Sequence, residues 1–242
     1  MPEGPSIVIL VEEVKKFTGR KILNVEGNSK EDIERLRNKK IIEFKSWGKH
    51  FLLCFNTFTV RIHFLLFGSY RINEGKETKP RLALTFKNGE LNLYACSVKF
   101  IEEKAEAAYD WSLDVMSDEW DAKQALQNCR SHPETLLCDI LLDQNIFSGV
   151  GNIIKNEVLY RVKLHPGNKI ADVPLLQLKK MIKEARNYSF DFLKWKKKYE
   201  LKKHWLAHTK KICLRCNLPI IKKYMGKTNR RTFFCKNCQK KF

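Results

Sequence analysis

Four cysteines near the C-terminus constrain the fold of this chain more than any other feature of the sequence. Cys213, Cys216, Cys235 and Cys238 follow the pattern C-x2-C-x18-C-x2-C. Each C-x2-C pair offers two thiolates from one tight turn, and this spacing is typical of a structural zinc site with four cysteine ligands. Two disulfide bonds and an iron–sulfur cluster are the alternatives. The first is typical of secreted proteins, and the second usually has more clustered ligands. The pattern therefore predicts one structural Zn2+ ion, with a short hairpin near 222–231.

The same segment carries most of the net charge. The chain has 46 Lys+Arg and 27 Asp+Glu, a formal charge of +19, and residues 194–242 hold 17 basic residues against one acidic residue, Glu200. Aromatic residues such as Trp195 and Phe233 lie within this basic stretch, which indicates a folded module rather than a disordered tail. A solvated lysine face and an anionic membrane surface are the alternatives, but no amphipathic basic helix stands out. Nucleic acid is the expected partner.

Length and hydropathy limit the remaining classes. The 242 residues are 43% hydrophobic with a mean hydropathy of −0.41, which favours a folded protein of one or two domains and disfavours a membrane span. The N-terminus lacks the basic and apolar regions of a signal peptide. The other four cysteines are scattered among apolar residues, as in a reducing compartment. We expect a cytoplasmic protein, nucleoid-associated if bacterial, that is monomeric and has no membrane partner.

Hydrophobic periodicity predicts an α+β chain. Apolar residues at helical spacing indicate a helix over 5–18, which Gly19 ends. Short β-prone runs separated by turn residues predict an antiparallel sandwich, with strands at 22–25, 41–47, 51–55, 59–64, 69–72, 81–86 and 90–95. Residues 105–124 are acidic and lack a clear period, as expected of a connection between domains. Helical stretches near 133–147, 152–162 and 174–199 follow, and the four-cysteine module comes last.

The second residue is a possible nucleophile. The chain lacks the phosphate-binding, dinucleotide-binding and serine-nucleophile motifs of common enzymes, so no organic cofactor is expected. Pro2 follows the initiator Met, and a small second residue normally permits Met removal. The free secondary amine could attack a sugar C1′ and form a cationic imine, with Glu3 as a general acid or base. Alone, Met-Pro-Glu-Gly-Pro is a weak signal for catalysis and is more typical of a turn that leads into a helix.

Two further short motifs carry possible phosphate contacts. Lys49 follows Gly48 ahead of an apolar strand, where it is either a functional cation or an ordinary strand-edge charge. Gly149-Val150-Gly151-Asn152 separates two apolar helical stretches. Glycines permit close approach of the backbone there, and the amides that begin the second helix can bind phosphate. Asn152 also suits the N-cap of that helix.

Together these residues resemble the formamidopyrimidine-DNA glycosylase/endonuclease VIII family of base-excision repair enzymes. Pro2-Glu3-Gly4-Pro5 is similar to its N-terminal catalytic motif, and Gly48-Lys49 to its catalytic lysine motif. The segment from Asp143-Gln144 through Gly149–Ile153 to Glu157 resembles its helix–two-turns–helix signature. Arg230-Arg231-Thr232-Phe233-Phe234-Cys235 resembles its zinc finger. The resemblance implies a catalytic β-sandwich domain over 1–104, a connection over 105–130, a helix–two-turns–helix domain over 131–209 and a zinc finger over 210–242.

The resemblance also assigns roles to individual residues. It implies that Pro2 forms a Schiff base with deoxyribose, that Glu3 assists proton transfer, and that Lys49 contacts a phosphate and assists β-elimination. Arg230 is expected to grip phosphate and promote δ-elimination. Further expected DNA contacts are Gly151 and Asn152, while Glu157 is a secondary candidate for the active site. A wedge that replaces an extruded base is expected at Leu65, Leu66 and Phe67, although leucines in a strand are by default core residues.

Departures from the family pattern bear on the substrate. Residues 94–100 lack the Arg-Arg-Phe-type segment of the purine-directed branch, and the wedge is closer to the endonuclease VIII branch. The sequence therefore predicts a bifunctional glycosylase and AP lyase for damaged double-stranded DNA that prefers oxidised pyrimidines. Oxidised purines or hydantoins are the alternative substrates, and an inert zinc-dependent DNA-binding protein is the alternative class. Ser6 stands where the family commonly has glutamate.

Overall fold

The computed structural model describes residues 2–242, and the chain forms two compact units. The first ends at Asp110 and the second begins at Trp111. This division confirms the predicted α+β class with two domains. The second unit takes in most of the predicted connection over 105–130, and it includes the four-cysteine module rather than leaving it as a separate body.

The first unit is an antiparallel β-sandwich preceded by a helix. Helix α1 spans Gly4–Val14 and continues into a 3-10 turn at Lys15–Phe17, while Gly19 takes a positive φ of 74° that ends the helical stretch. The strands are β1 Asn24–Glu26, β2 Glu43–Trp47, β3 His50–Cys54, β4 Thr59–His63, β5 Ser69–Ile72, β6 Leu82–Phe86, β7 Gly89–Tyr94 and β8 Ser97–Ile101. A short helix α2, Ala105–Ala108, follows them.

Two four-stranded sheets enclose the core of this unit. Their strand orders are β1-β6-β7-β5 and β2-β3-β4-β8, and all neighbours are antiparallel. In β6, the side chains of Leu82, Leu84 and Phe86 alternate inward, as expected for a strand with one buried face. Helix α1 packs on β2 and β3 through its apolar side, which includes Ile7, Leu10 and Val14. This packing carries the N-terminal residues onto the sheet that holds Lys49.

The second unit is mainly helical. Its helices are α3 Ala122–Arg130, α4 Leu137–Ile140, α5 Asn152–Arg161 and α6 Leu175–Lys197, and its hairpin strands are β9 Ile221–Met225 and β10 Arg230–Phe234. Helix α5 packs on α6 and also contacts β10, so the hairpin is joined directly to the helical core. None of the helices in the described part of the chain combines the length and hydropathy that a membrane crossing needs.

The prediction of a helix over 133–147 is wrong for most of that range. Only Leu137–Ile140 is α-helical there, and the chain then forms consecutive turns. The carboxylate of Asp143 accepts the N–H of Asn145, and the side-chain oxygen of Gln144 accepts the N–H of Gly149. Such side-chain bonds offer the backbone an alternative to helical pairing. These turns bring the chain to the start of α5, in agreement with the helix–two-turns–helix expectation.

Candidate active site and nucleic-acid interface

The N-terminal motif forms the entry to α1. Pro2 is half-buried, and Glu3 is the N-cap of the helix, with an extended backbone and only 1% of the residue exposed. The Glu3 carbonyl accepts the N–H of Ser6, a half-buried residue of the first helical turn. Proline is favourable in this turn because Pro5 lacks an N–H that would otherwise be unpaired. The helix thus fixes the backbone that carries Pro2 and Glu3.

Lys49 lies at the tip of a two-residue hairpin. Strands β2 and β3 pair from Glu43–Cys54 to Trp47–His50, which leaves Gly48 and Lys49 as the loop. Gly48 has a φ of 54°, a left-handed value that glycine adopts without strain. A glycine at the first loop position is typical of the tight turns that match the twist of paired strands. The sequence signal Gly48-Lys49 therefore has a structural cause, and it presents the lysine at the end of a rigid ribbon.

Aromatic rings support the base of this hairpin. The indole nitrogen of Trp47 donates to the carbonyl of Asp110 at 2.9 Å, and the His50 ring lies between the rings of Trp47, His63 and Tyr109, with centroids 5.5–5.8 Å away. Burial lowers the pKa of His50 to about 3, and the neighbouring cations Arg61 and Lys49 act in the same direction. His50 is accordingly neutral at physiological pH, and the cationic group at this end of the ribbon is Lys49.

The predicted wedge residues are exposed rather than part of the core. Leu65, Leu66 and Phe67 are 50%, 47% and 87% exposed in the loop that leads from one sheet to the other. The Leu65 N–H donates to His63 Nδ1 at 3.3 Å, and Leu65 has a φ of 50°, which is unfavourable for a branched residue. Gly68 closes the loop, since a Cβ there would lie 2.1 Å from the Phe64 carbonyl oxygen. A tight loop that exposes three large apolar side chains is suited to insertion into a partner.

The second unit presents the N-terminus of α5. Gly151, not Asn152, is the N-cap, and no side chain caps this helix. The expectation that Asn152 caps the helix is wrong because Asn152 already belongs to its first turn. Gln144 shapes the preceding loop by donating to the carbonyls of Leu142 and Val150. An N-terminus of this kind is a favourable place for an anion, since amide groups and the helix dipole both point outward there.

Side chains of α5 hold the strand that carries Arg230. Asn152 Nδ2 donates to the Arg231 carbonyl at 2.9 Å, and Asn156 Oδ1 accepts the Phe233 N–H at 3.1 Å. Two amide side chains thereby occupy the pairing edge of β10 that a third strand would otherwise use. Between them, the fully buried Lys155 donates from Nζ to Thr232 Oγ1 at 2.8 Å. Arg230 and Arg231 are exposed and lie beside the N-terminus of α5.

A second clamp fixes the tip of the same hairpin. The Asp139 carboxylate accepts the Lys227 N–H at 2.9 Å and contacts the Thr228 hydroxyl at 3.3 Å. Gly226 allows this approach, because a Cβ there would lie 2.2 Å from Asp139 Oδ1. Its φ of 73° is also left-handed. Arg230 is therefore positioned from both ends, by α4 at the tip and by α5 along the strand.

Glu157 binds backbone N–H groups inside the second unit. Its side chain is fully buried, and its carboxylate accepts the N–H groups of Leu206, Ala207 and His208 at 2.7–3.0 Å. Arg161 adds an ion pair at 3.9 Å. Three convergent N–H groups satisfy a buried carboxylate much as a helix N-terminus does. This geometry differs from the suggested secondary place in the active site, and we assign Glu157 to anchoring the segment before the first C-x2-C pair.

The four predicted metal ligands come together. The sulfur atoms of Cys213, Cys216, Cys235 and Cys238 all lie within 4.8 Å of one another, and the pairs Cys213–Cys238 and Cys216–Cys235 are 3.8 and 3.4 Å apart. A small apolar cluster that includes Tyr160, Ile220 and Phe233 surrounds them. Four sulfur atoms gathered around one centre fit the tetrahedral ligand set of a metal ion.

His208 makes this region sensitive to acid. Its Nδ1 lies 3.1 Å from Asn156 Nδ2, and burial lowers its pKa to about 4, with Lys155 and Arg231 acting in the same direction. Because the folded pKa lies below the ordinary value of 6.5, the contribution of neutral His208 is complete above pH 6.5. We expect the free energy of unfolding to fall by roughly 2 kcal/mol as the pH drops from 6.5 to 4. A His208 ring signal that titrates near pH 6.5 in NMR would contradict this expectation.

Comparison with known proteins identifies the family. The model of the formamidopyrimidine-DNA glycosylase N-terminal domain matches residues 1–100, and that of the formamidopyrimidine-DNA glycosylase H2TH domain matches residues 112–188. The chain belongs to the formamidopyrimidine-DNA glycosylase/endonuclease VIII family. Each matched region lies within one of the two units, and together they include Pro2, Glu3, Lys49, Asn152 and Glu157. The resemblance inferred from the motifs is thereby confirmed.

Relatives and solved structures agree with this assignment. The chain is 32% identical over 202 residues to Endonuclease 8-like 3 of Mus musculus and 30% identical over 241 residues to that of Xenopus laevis, which covers 80% and 90% of the chain. It spans only 33–38% of the length of these relatives. The fold superposes on Lactococcus lactis formamidopyrimidine-DNA glycosylase with a TM-score of 0.86 at 21% identity, over 99% of this chain and 100% of that one. A viral DNA glycosylase gives a TM-score of 0.85 at 21% identity, over 98% and 99%.

The structure distributes the predicted residues between the two units. Pro2, Glu3, Lys49 and the wedge belong to the first, whereas Gly151, Asn152, Arg230 and the four cysteines belong to the second. Sequence reasoning did not single out the residues that position Arg230, namely Asp139, Lys155, Asn156 and His208. One signal was present. Lys155, Asn156 and Glu157 are consecutive polar residues in a helix that is otherwise apolar on several sides, and all three are buried.

Proposed function

We propose that this protein is a bifunctional DNA glycosylase and AP lyase of base excision repair, with damaged double-stranded DNA as its substrate. The observation that carries the proposal is the arrangement of the N-terminal motif and Lys49 within the first unit. It places Pro2 and Glu3 at the start of α1, packs that helix on the β2–β3 hairpin, and sets Lys49 at the hairpin tip. Family membership supports the same chemistry, because Lactococcus lactis formamidopyrimidine-DNA glycosylase has been solved in complex with DNA that contains an abasic site or an oxidised pyrimidine.

The proposed reaction begins at the Pro2 nitrogen. The neutral amine attacks C1′ of the damaged nucleotide, and the C1′–N bond breaks as the base leaves with the electron pair and gains a proton. The sugar ring opens to an iminium ion in which Pro2 nitrogen is bonded to C1′. Glu3 suits the proton transfers of these steps, since its carboxyl group adjoins the nucleophile in sequence. The iminium charge acidifies the C2′ hydrogen, so that its loss expels the 3′ phosphate in β-elimination.

The basic residues are proposed to hold the backbone during these steps. Lys49 contacts a phosphate beside the lesion and stabilises its charge as it leaves. Asn152, Gly151 and the amides of α5 receive a second phosphate, and Arg230 grips a third and promotes δ-elimination. The clamps from Asn156 and Asp139 support this assignment, because they hold the Arg230 strand in a single position. A Zn2+ ion at the four cysteines would supply structural stability to that strand, not chemistry.

The exposed loop is proposed to act as the wedge. A damaged nucleotide must leave the base stack to reach Pro2, which costs a few kcal/mol and costs least for a damaged pair. Leu66 and its neighbours Leu65 and Phe67 would fill the space that remains. Their exposure supports the idea, because large apolar side chains on a tight loop gain free energy when they enter the stacked interior of a duplex.

Oxidised pyrimidines are the proposed substrate class, in keeping with the absence of an Arg-Arg-Phe-type segment at 94–100. That segment includes most of β8, and Ala95 has a φ of 47° in the turn before the strand. Oxidised purines or hydantoins remain the alternative substrates. An inert DNA-binding protein is the alternative class, and the combination of Pro2, Glu3 and Lys49 argues against it.

A product assay on defined lesions tests the proposal. Duplexes with thymine glycol, dihydrouracil, 8-oxoguanine or a hydantoin are incubated with the mature protein, and the strand ends are resolved by electrophoresis. We expect the two pyrimidine lesions to be cut at least about tenfold faster than 8-oxoguanine, which corresponds to roughly 1.4 kcal/mol in the barrier. Arg230→Ala is expected to shift products from β,δ to β, whereas the neighbouring Lys236→Ala serves as a control. Faster cleavage of 8-oxoguanine would refute the pyrimidine preference, and binding without any cleavage would favour the inert class.

A further inference from the structure

An open basic cavity lies at the far end of α5 from the proposed DNA contacts. Its volume is about 660 Å³, within the range of ligand pockets, and its walls belong entirely to the second unit. Helix α5 has ten residues and is therefore about 15 Å long, which separates the cavity from Asn152 at its other end. The charged residues that line it are Arg161, Lys163, Lys180, Lys183, Glu184 and Lys240.

Backbone pairing fixes two of these lysines beside each other. Lys163 follows α5 with a φ of 59°, and its carbonyl accepts the N–H of Lys240 at 2.8 Å. The carbonyl of Lys240 in turn accepts the N–H of His165 at 3.0 Å. Lys180 and Lys183 face the same cavity from α6, and both are exposed. Four ammonium groups from three segments are thus gathered around one space.

Only Arg161 and Glu184 offset each other within this wall. Arg161 Nε lies 3.9 Å from Glu157 and 4.0 Å from Glu184, and its guanidinium lies 4.8 Å from the Tyr188 ring centroid. Lys163, Lys180 and Lys183 are in no ion pair with any described residue, and Lys240 Nζ lies over the Phe242 ring. Cys238, one of the four predicted metal ligands, also lines the cavity, and a zinc-bound four-cysteine cluster would carry about two negative charges. The five cations still exceed Glu184 and that cluster by about two positive charges, which an anionic ligand would stabilise.

We propose that this cavity binds a short segment of nucleic-acid strand, as a second site distinct from the lesion site. Phosphates would lie among the four lysines. The cavity is much larger than a single phosphate group. Two amide side chains, those of Gln177 and Asn187, also line it. They are ten residues apart on α6, which is about 15 Å along the helix. Amides both donate and accept hydrogen bonds and so suit the edges of bases. The proposed ligand is an undamaged phosphodiester segment. A free polyphosphate is the alternative ligand, because it carries the same kind of charge.

Charge-matched variants test the site. The probe is a 5′-phosphorylated thymidine trinucleotide with a fluorescent label, titrated by anisotropy into the zinc-loaded chain with and without saturating abasic-analogue duplex. We expect Lys180→Glu/Lys183→Glu to weaken trinucleotide binding at least about tenfold. The control Lys179→Glu/Lys194→Glu makes the same change in net charge on α6 outside the cavity and is expected to change affinity less than about twofold. Equal losses in both double variants would overturn the site, as would competition by the duplex that abolishes trinucleotide binding.

Tripolyphosphate distinguishes the two sources of phosphate. We expect Gln177→Ala/Asn187→Ala to weaken the trinucleotide several-fold and to leave competition by tripolyphosphate unchanged. Tripolyphosphate that binds as tightly as the trinucleotide, with no effect of the amide variants on either, would overturn the nucleotide assignment. The result is independent of the proposed enzyme activity, because the cavity variants keep Pro2, Lys49 and Arg230 and are expected to form covalent adducts with abasic DNA as the wild type does.

Discussion

Removal of the metal is expected to abolish specific DNA binding, with a loss of at least about 100-fold in affinity for abasic duplex. The four sulfur atoms lie within 4.8 Å of one another, and the cluster around them contains few apolar side chains. A core of this size usually needs a metal or a disulfide to fold. Cys235 directly follows β10, so loss of the centre releases the C-terminal end of the strand that carries Arg230, although α4 and α5 still contact the hairpin. Chelation and Cys235→Ser should have the same effect, measured by anisotropy with a labelled duplex.

The controls separate metal loss from general damage. Cys54→Ala removes a buried cysteine from the first unit and is expected to retain both metal and affinity. Elemental analysis should give one zinc per chain for the wild type, and added Zn2+ should restore the chelated protein. A metal-free protein with unchanged affinity would refute the structural role of the cysteine cluster.

Glu157→Gln is expected to lower the free energy of unfolding of the second unit by about 3 kcal/mol. The glutamine oxygen accepts from some of the N–H groups of Leu206, Ala207 and His208, but its NH2 group faces the others as a second donor. Buried backbone donors then lack an acceptor, and Arg161 keeps only its ion pair with Glu184. Urea unfolding followed by tryptophan fluorescence measures the change. Glu134→Gln removes only an exposed pair with Lys169 and should leave the unfolding midpoint unchanged.

The same variant distinguishes anchoring from catalysis. The measurement is made at a temperature where circular dichroism shows Glu157→Gln fully folded. We expect its adduct yield with abasic DNA to stay within about threefold of the wild type. A displaced loop segment should change the activation barrier by less than about 1 kcal/mol. A folded Glu157→Gln protein that has lost more than about 100-fold in rate would return Glu157 to the active site.

The fold could be predicted from the sequence where an element is determined by its own residues, through alternating burial or a required turn conformation. Strand β6 alternates buried and half-buried residues, and the hairpin at Gly48-Lys49 needs a left-handed residue, so both follow from local sequence. Strand β8 was not among the predicted strands, because Ser97 and Lys99 interrupt its apolar character. Helix α3 lies in the stretch that the sequence predicts as a connection, although the Asp121 side chain caps the helix by accepting the N–H groups of Lys123 and Gln124.

The candidate site was predictable only as a set of motifs. The residues that carry chemistry lie in short segments with special backbone requirements, such as Pro2-Glu3 and Gly48-Lys49. The residues that position them act across long separations: Asn156 and Phe233 are 77 positions apart, and Asp139 and Lys227 are 88 apart. Nothing in the local sequence of Asn156 or Asp139 specifies a distant backbone partner, since such pairing depends on how whole elements pack. The same reason explains why Glu157 resembled a catalytic residue in the motif and is an anchor in the structure.

In the proposed reaction the Pro2 nitrogen forms a covalent imine with damaged DNA. The most direct test is borohydride trapping of the mature protein on an abasic-site duplex, followed by peptide mapping of the adduct by mass spectrometry. We expect the added mass on the N-terminal peptide, at Pro2. Pro2→Gly keeps a free N-terminal amine that can still form an imine, so mapping of the wild-type adduct is the decisive measurement. An adduct confined to Lys49 or another lysine, or no adduct at all, would contradict the proposed reaction.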